Sequence, residues 1–387
     1  MADARLTSRG VVVAALGSTQ TLAWASSYYL PAILADDMAN AAGVPRAWVF
    51  AVFSGALLLT AAVGPWMGRL IDRRGGRGVL AASNIVFAIG LAVLGASNGI
   101  AVQGVAWAVL GFGMALGLYD AAFATLAEIY GREARGPITG ITLIAGFAST
   151  VGWPLSAFLD AELGWRGACF VWAAMHLVIG LPLNLLLPRS SGAASHNQHA
   201  PASWEPRREM ILLAYVFAAA WFVTGAMAAH LPALFERMGA TTVQAVAAAA
   251  LVGPAQVAAR LAEFMIMRRV HPLVSARIAA SLHPIAAAVM AAFGAPAAAA
   301  FALLHGAGNG LLTIARGTVP LALFGPVNYG ARTGLLVAPA RAAQAAAPLL
   351  FGLLLDSMGV WVLAVSAGLC LSALAVLFFL RASKTEV

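Results

Sequence analysis

Charged residues are scarce in this sequence. Its 387 residues include 23 basic and 15 acidic side chains, so 10% are charged, whereas a soluble domain typically carries about 25%. Hydrophobic residues make up 61%, and most segments are apolar all round rather than on one face. The composition excludes an ordinary soluble domain and predicts a chain that crosses a membrane several times.

Several chemical motifs are missing as well. The two cysteines, Cys169 and Cys370, both fall inside apolar segments, so no disulfide framework or thiolate metal site is implied. No G-x-x-x-x-G-K-[ST] loop is present, and no His, Asp or Glu cluster has metal or acid–base spacing. We therefore predict no cofactor, no metal and no enzymatic activity. The net charge of +8 comes from arginines in short loops, a pattern that sets membrane topology rather than one that binds nucleic acid.

Twelve apolar segments are long enough to cross a bilayer as helices. A polar gap follows the sixth and divides the chain into an N-terminal six-helix bundle (1–187), a cytoplasmic linker (188–209) and a C-terminal six-helix bundle (210–387). The predicted fold class is an all-α membrane protein with two pseudo-symmetric bundles. The predicted spans are 11–35, 47–70, 78–97, 100–126, 137–159, 167–187, 210–235, 242–266, 277–294, 297–323, 333–355 and 360–380.

The basic residues also predict the orientation of the chain. With a cytoplasmic N-terminus, 17 of the 23 lie on the cytoplasmic side and three lie outside, as the positive-inside rule requires. We expect a multi-pass protein of a bacterial-type cytoplasmic (inner) membrane, with both termini cytoplasmic. The three remaining basic residues lie inside predicted spans. They are Arg260, Arg316 and Arg341.

One segment combines high hydrophobicity with three polar residues. Ala297–Phe324 is almost entirely apolar, yet it contains His305, Asn309 and Arg316. At about 100° per residue the three side chains fall within about 40° of one helix face. An arginine this deep in a span costs on the order of 2.5–3.5 kcal/mol on insertion scales. The segment therefore predicts a helix whose polar face meets a partner or a water-filled cavity.

The loop between the second and third spans resembles the signature loop of the major facilitator superfamily, G-x-L-x-D-R-x-G-R-[KR]. The sequence departs from it at Gly76, where the family usually has a basic residue. The resemblance implies a gating loop in which Asp72 pairs with arginines or with a helix N-terminus. The alternative is that the arginines only set topology. Leu70 and five further residues match the motif. These five are the predicted gating residues Gly68, Asp72, Arg73, Gly75 and Arg77.

The resemblance also implies that spans one, four, seven and ten surround a central cavity, with spans eight and eleven beside it. The basic residues within the spans outnumber the acidic ones, and guanidinium groups match the geometry of carboxylates. The sequence therefore predicts a site for a small organic anion. For Arg341 the alternative is a side chain that extends to the cytoplasmic surface. The predicted substrate ligands are Arg316, Arg341, Arg260, Gln256, Asn309, Tyr28 and Gln344.

A weaker resemblance concerns the monocarboxylate branch of the superfamily. The pair Gln256 and Arg260 is similar to that family's D-x-x-x-R in the eighth helix, and Ser27–Pro31 is similar to its S-Y-x-x-P in the first. Gln256 replaces the acid, and Ala32 replaces a lysine that follows. The resemblance therefore implies an organic anion rather than lactate–proton symport. For Arg260 a second role stays open, since a weak internal repeat aligns it with Arg69, beside the gating loop.

Asp120 is the clearest acidic residue inside a span. Two roles are open for it: a proton-coupling site or counter-ion, and a structural ion pair that only fixes the bundle. Two stripes of polar and aromatic residues are consistent either with the lining of a cavity or with packing. The stripe in span one consists of Gln20, Trp24, Ser27 and Tyr28, and the stripe in span seven consists of Trp221 and Thr224.

We assign no role to the scattered histidines His176, His230 and His283.

Together these features predict a secondary active transporter. We expect it to move a small organic anion, a carboxylate, across the cytoplasmic membrane by alternating access, with proton coupling as a further expectation. The expected partners are the anionic substrate, the lipid bilayer and protons, with no nucleic acid, and the expected state is a monomer. The alternative is an exporter of drug-like or amphiphilic metabolites.

Overall fold

A computed structural model describes residues 8–188, 208–267 and 270–380. All regular structure within these ranges is helical, and it includes two π-helical turns at Trp24–Tyr28 and His176–Gly180. The predicted linker at 188–209 lies almost entirely outside the described residues.

Eight helical stretches of the described chain have the length and composition of membrane spans. One of them, Ile100–Leu185, contains three predicted spans, because its successive helices are joined by very short turns. The first predicted span, 11–35, is not among the eight, because it is divided between two helices and a π-helical turn. All twelve predicted spans are nevertheless helical over most of their length.

The chain divides into two compact units. Unit 1 comprises Met1–Pro201 and Gly325–Ala338, and unit 2 comprises Ala202–Phe324 and Pro339–Val387. The helices that begin in unit 1 before residue 201 are α1 (Arg9–Ala23), α2 (Pro31–Ala42), α3 (Arg46–Arg74), α4 (Gly76–Gly95), α5 (Ile100–Gly117), α6 (Tyr119–Tyr130), α7 (Arg135–Ala145), α8 (Ala148–Met175) and α9 (Leu181–Leu185). They are followed by α10 (Arg208–Arg237), α11 (Thr242–Ala249), α12 (Val252–Met265), α13 (Pro272–Phe293), α14 (Ala298–Phe324), α15 (Tyr329–Met358) and α16 (Val362–Phe379). Helix α15 begins in unit 1, and from Pro339 onward its residues belong to unit 2.

The fourth predicted span is broken in unit 1, although the sequence predicted one uninterrupted segment. Helix α5 ends at Gly117, Leu118 is extended with ψ −173°, and α6 begins at Tyr119. A break leaves backbone groups without helical partners. The carbonyl of Gly117 accepts a 2.6 Å hydrogen bond from Nε2 of Gln20, which stabilises the break from the first span. The break places Asp120 in the first turn of a new helix.

In unit 2, helix α14 lies directly against two neighbours. A Cβ atom at Gly306 would lie 2.6 Å from the carbonyl oxygen of Val252, and one at Gly310 would lie 2.5 Å from that of Gln256. Small residues four apart allow such close backbone contact between membrane helices. On its other side, a Cβ atom at Gly308 would lie 2.9 Å from the carbonyl oxygen of Ala279 in α13. Helix α14 is therefore packed tightly against both α12 and α13.

Candidate functional site

The polar face of α14 lies against helix α10. The Oδ1 atom of Asn309 accepts a 3.1 Å hydrogen bond from the Thr224 hydroxyl. Two turns further on, the guanidinium carbon of Arg316 lies 4.4 Å from the centroid of the Trp221 ring. Arg316 is only 3% exposed. The arginine that seemed costly from its depth therefore packs on an aromatic face inside unit 2, an arrangement that contributes about 0.5–2 kcal/mol.

Arg341 of α15 contacts the same ring. Its guanidinium carbon lies 5.5 Å from the centroid of Trp221, and the residue is 2% exposed. Two guanidinium groups thus share one indole, and their central carbons are at most about 10 Å apart. At that separation two like charges repel by at least roughly 1.7 kcal/mol in a medium of effective dielectric constant 20.

Gln344 follows Arg341 by one turn and lies against the same face of α10. A Cβ atom at Gly225 would lie 3.0 Å from the backbone oxygen of Gln344 and 3.4 Å from its Cγ. The face formed by Trp221, Thr224 and Gly225 therefore gathers four of the predicted ligands. They are Asn309, Arg316, Arg341 and Gln344.

Arg260 belongs to a separate polar contact on α12. Its Nη2 atom lies 3.3 Å from Oε1 of Gln256 and 3.3 Å from the hydroxyl of Thr313 on α14. It donates to both, and the residue is 6% exposed. The close approach of α12 to α14 at Gly310 brings the arginine to Thr313. Gln256, which stands where the monocarboxylate pattern has an acid, thus contacts Arg260 through a neutral amide acceptor rather than a carboxylate.

The remaining two candidates, Asp120 and Tyr28, lie in unit 1. Asp120 is half-buried in the first turn of α6, where the helix dipole favours a carboxylate. Tyr28 ends the π-helical turn of the first span, and its ring contacts Trp24 at 5.1 Å and Phe53 at 5.5 Å between centroids. Trp24 in turn lies 5.0 Å from Tyr119, beside the break before α6. Both interrupted helices therefore meet at one aromatic cluster, and broken helices often mark transporter sites.

The gating loop contacts the start of α15 within unit 1. The Asp72 carboxylate accepts hydrogen bonds from the backbone N–H groups of Gly330 (2.9 Å) and Ala331 (2.8 Å). These groups belong to the first turn of α15, so a negative charge meets the positive end of the helix dipole. Of the two pairings that the sequence left open for Asp72, a helix N-terminus is observed.

The glycines of this loop have distinct physical roles. Gly68 packs on the backbone of Gly330, and a side chain there would overlap the Gly330 carbonyl. Gly75 has φ +82°, which favours glycine. The departure at Gly76 also has a reason, because a side chain would overlap the hydroxyl of Thr125. Of the two predicted gating arginines, Arg73 is exposed and Arg77 is half-buried.

Two features of unit 2 were not predicted. The sequence places Trp221 in a polar and aromatic stripe of span seven, but it does not predict that both arginines share this ring. The second feature is a hydrogen bond between His305 and His283. His283 carries no signal in the sequence that separates it from other buried polar residues.

A chain whose described residues are all helical, with several apolar helices of membrane-spanning length, is a multi-pass membrane protein. The family model of the Major Facilitator Superfamily matches residues 16–301, and the chain belongs to this family of transporters. No curated protein matches the chain by sequence.

Three solved structures illustrate the fold. The human organic anion transporter MFSD10 (TETRAN) is 19% identical with a TM-score of 0.72, covering 95% of this chain and 98% of that one. The E. coli fucose:proton symporter FucP is 13% identical with a TM-score of 0.74 and the same coverage. The proton:xylose symporter XylE, bound to 6-bromo-6-deoxy-D-glucose, is 13% identical with a TM-score of 0.76, covering 98% of both chains. At these identities the likeness establishes the fold, and the predicted superfamily is confirmed.

Proposed function

We propose that this secondary transporter moves a small organic anion, a carboxylate, and that Arg316 and Arg341 are its principal ligands. The observation that carries the proposal is the pair of buried guanidinium groups on Trp221. The indole packs against both groups through its ring quadrupole and holds them near each other. A carboxylate bridging the two would relieve their repulsion and accept charge-assisted hydrogen bonds.

The neighbouring polar groups would complete the site. Asn309 and Gln344 lie on the same face of α10 as the arginines, and Arg260 with Gln256 would contribute from α12. In this proposal Arg260 is a ligand rather than a gate, because it bonds to Thr313, one turn from Asn309 on α14. Asp120 would bind protons or balance the arginine charge, and Tyr28 would contact the apolar part of the substrate.

The wider setting follows from the sequence. We propose six-helix halves at 1–187 and 210–387, a monomer, an inner-membrane location and cytoplasmic termini, on the charge distribution described above. Transport would proceed by alternating access, and the contact of Asp72 with the start of α15 would be made and broken during the cycle.

A second candidate substrate class is favoured by the aromatic cluster of unit 1. Trp24, Tyr28, Phe53 and Tyr119 form a continuous aromatic surface, which suits amphiphilic or drug-like metabolites. In that case the protein would be an exporter. Three buried arginines favour the anion, because a site for amphiphilic cations would place positive charge against positive charge.

A thermal-shift screen of the purified protein separates the two candidates. The ligands are carboxylates, phosphates, sulfonates and amphiphilic cations. A ligand at 100 times its Kd stabilises a protein by about 2.7 kcal/mol, which such an assay detects. We expect carboxylates to stabilise the wild type but not Arg316→Ala. Arg237→Gln is the control, because it removes only a surface ion pair with Asp356, and it should respond like the wild type. Stabilisation by cations alone would contradict the anion proposal.

A further inference from the structure

Two buried histidines meet in unit 2 away from the arginines. Nδ1 of His283 on α13 lies 3.0 Å from Nδ1 of His305 on α14. Nε2 of His283 lies 3.0 Å from the hydroxyl of Ser366 on α16, and that hydroxyl is 3.0 Å from the carbonyl oxygen of Leu363. His283 and His305 are 4% and 5% exposed. The three helices are thus joined by one chain of polar atoms.

The chain of atoms allows two arrangements of its protons. In the first, the Ser366 hydroxyl donates to the carbonyl of Leu363, and Nε2–H of His283 donates to Ser366. Nδ1 of His283 then bears a lone pair and accepts from Nδ1–H of His305. The nitrogen that remains basic is Nε2 of His305. If the hydroxyl proton turned instead to His283, every proton of the chain would shift by one bond, and the chain would stay neutral.

His305 lines a cavity that provides access to the pair. The cavity lies within unit 2, and most of its lining is apolar. Its polar lining residues besides His305 are His283, Thr224 and Asn309. These side chains would give a water molecule hydrogen-bond partners there, and water delivers protons.

We propose that His283 and His305 form a buried site for one proton. The proton would enter from water in the cavity and bind Nε2 of His305, so that the pair carries a single positive charge and keeps its N–H···N hydrogen bond. A second proton would set two N–H groups against each other and break the bond, so the pair holds one.

The charged and titratable groups around the pair favour coupling to an anion. Helix α16 has no charged residue, and Cys370 is its only titratable group at the cavity. On α13, Arg277 is bound to the carbonyls of Leu377 and Leu380. Other charged residues of unit 2 are Arg208, Glu209, Glu236 and Arg237 on α10, Arg260 and Glu263 on α12, Arg316 on α14, and Arg341 and Asp356 on α15.

Arg316 is eleven residues from His305, or about 16 Å along the helix. An anion bound there would raise proton uptake roughly fivefold at an effective dielectric constant of 20. The effect is reciprocal, so a proton on the pair would strengthen anion binding by the same factor. This coupling rests on the proposed function, whereas the proton site rests only on the geometry of the pair.

Nitrogen NMR of the full-length protein, labelled with ¹⁵N-histidine in lipid nanodiscs, tests the site directly. A nitrogen–nitrogen coupling across the Nδ1–H···Nδ1 bond would identify the pair in the wild type, without any variant. As the pH is lowered from about 8 to about 4, we expect the pair to gain one proton while this coupling persists. His176→Gln is the matched control, since His176 is equally buried in unit 1 but bonds to Ser26 and Asn84 instead of another histidine. A pair that stays neutral over the whole range would overturn the proposal.

Proteoliposomes test the coupling, with the carboxylate that stabilises the protein as the transported probe. In His305→Gln we expect accumulation driven by a pH gradient to fall about fivefold more than carboxylate exchange. A variant that accumulates the probe like the wild type would refute the coupling. If no carboxylate binds the wild type, the anion proposal fails, but the NMR titration still decides the proton site.

Discussion

Replacing Trp221 is the most informative single perturbation of the arginine site. The ring lies 4.4 Å from the guanidinium carbon of Arg316 and 5.5 Å from that of Arg341, so both contacts are within the range of a cation–π interaction. Each contributes about 0.5–2 kcal/mol, and burial places both near the upper end. Trp221→Ala removes both contacts while leaving the two positive charges about 10 Å apart or closer.

We expect Trp221→Ala to weaken carboxylate binding roughly 10- to 100-fold, because the two guanidinium groups are no longer held against one ring. Trp221→Phe keeps an aromatic face and should lose much less. Isothermal titration of the stabilising carboxylate measures both effects. Trp361→Ala serves as the control, since Trp361 also belongs to unit 2 but is 73% exposed. Affinities of Trp221→Ala within about twofold of the wild type would refute the role of the ring.

Two further predictions concern the gating loop. Gly68→Ala should lower thermal stability, because the added methyl group overlaps the carbonyl of Gly330. Gly64→Ala in the same helix is the control: its methyl group would meet nothing within 4 Å, so it should be neutral or slightly stabilising. Equal melting temperatures for the two variants would contradict this reading. Asp72→Asn replaces two charge-assisted hydrogen bonds by one neutral bond, a loss of about 1–3 kcal/mol. Hydrogen exchange at the Gly330 amide should accelerate roughly 5- to 150-fold, and unchanged exchange would show that the carboxylate does not hold the helix start.

Much of the unit 2 site follows from helical periodicity. His305, Asn309 and Arg316 share one face because their spacings of four and seven residues correspond to whole turns. The same rule places Arg341 and Gln344 together. Which neighbour each face meets depends on helix packing, and there the sequence predicted less. That both arginines share Trp221 follows from the relative rotation of three helices, which single-helix periodicity does not determine.

The break at Leu118 lies beyond such rules. Nothing in the residues from 113 to 124 forbids a continuous helix, and the interruption is stabilised by Gln20 from a distant part of the chain. The glycine at position 76 likewise depends on a distant residue, because the side chain of Thr125 packs against it. Local sequence predicts where polar groups lie on a helix, while tertiary contacts decide where a helix stops.

The central claim is that Arg316 and Arg341 hold the same anion, and a double-mutant cycle on carboxylate affinity tests it most directly. Each of Arg316→Gln and Arg341→Gln should weaken binding roughly 10- to 150-fold, the equivalent of losing charge-assisted hydrogen bonds. Because one carboxylate bridges both groups, the double variant should lose clearly less than the product of the two factors. Wild-type affinity in either single variant, or strictly multiplicative losses in the double variant, would contradict the account.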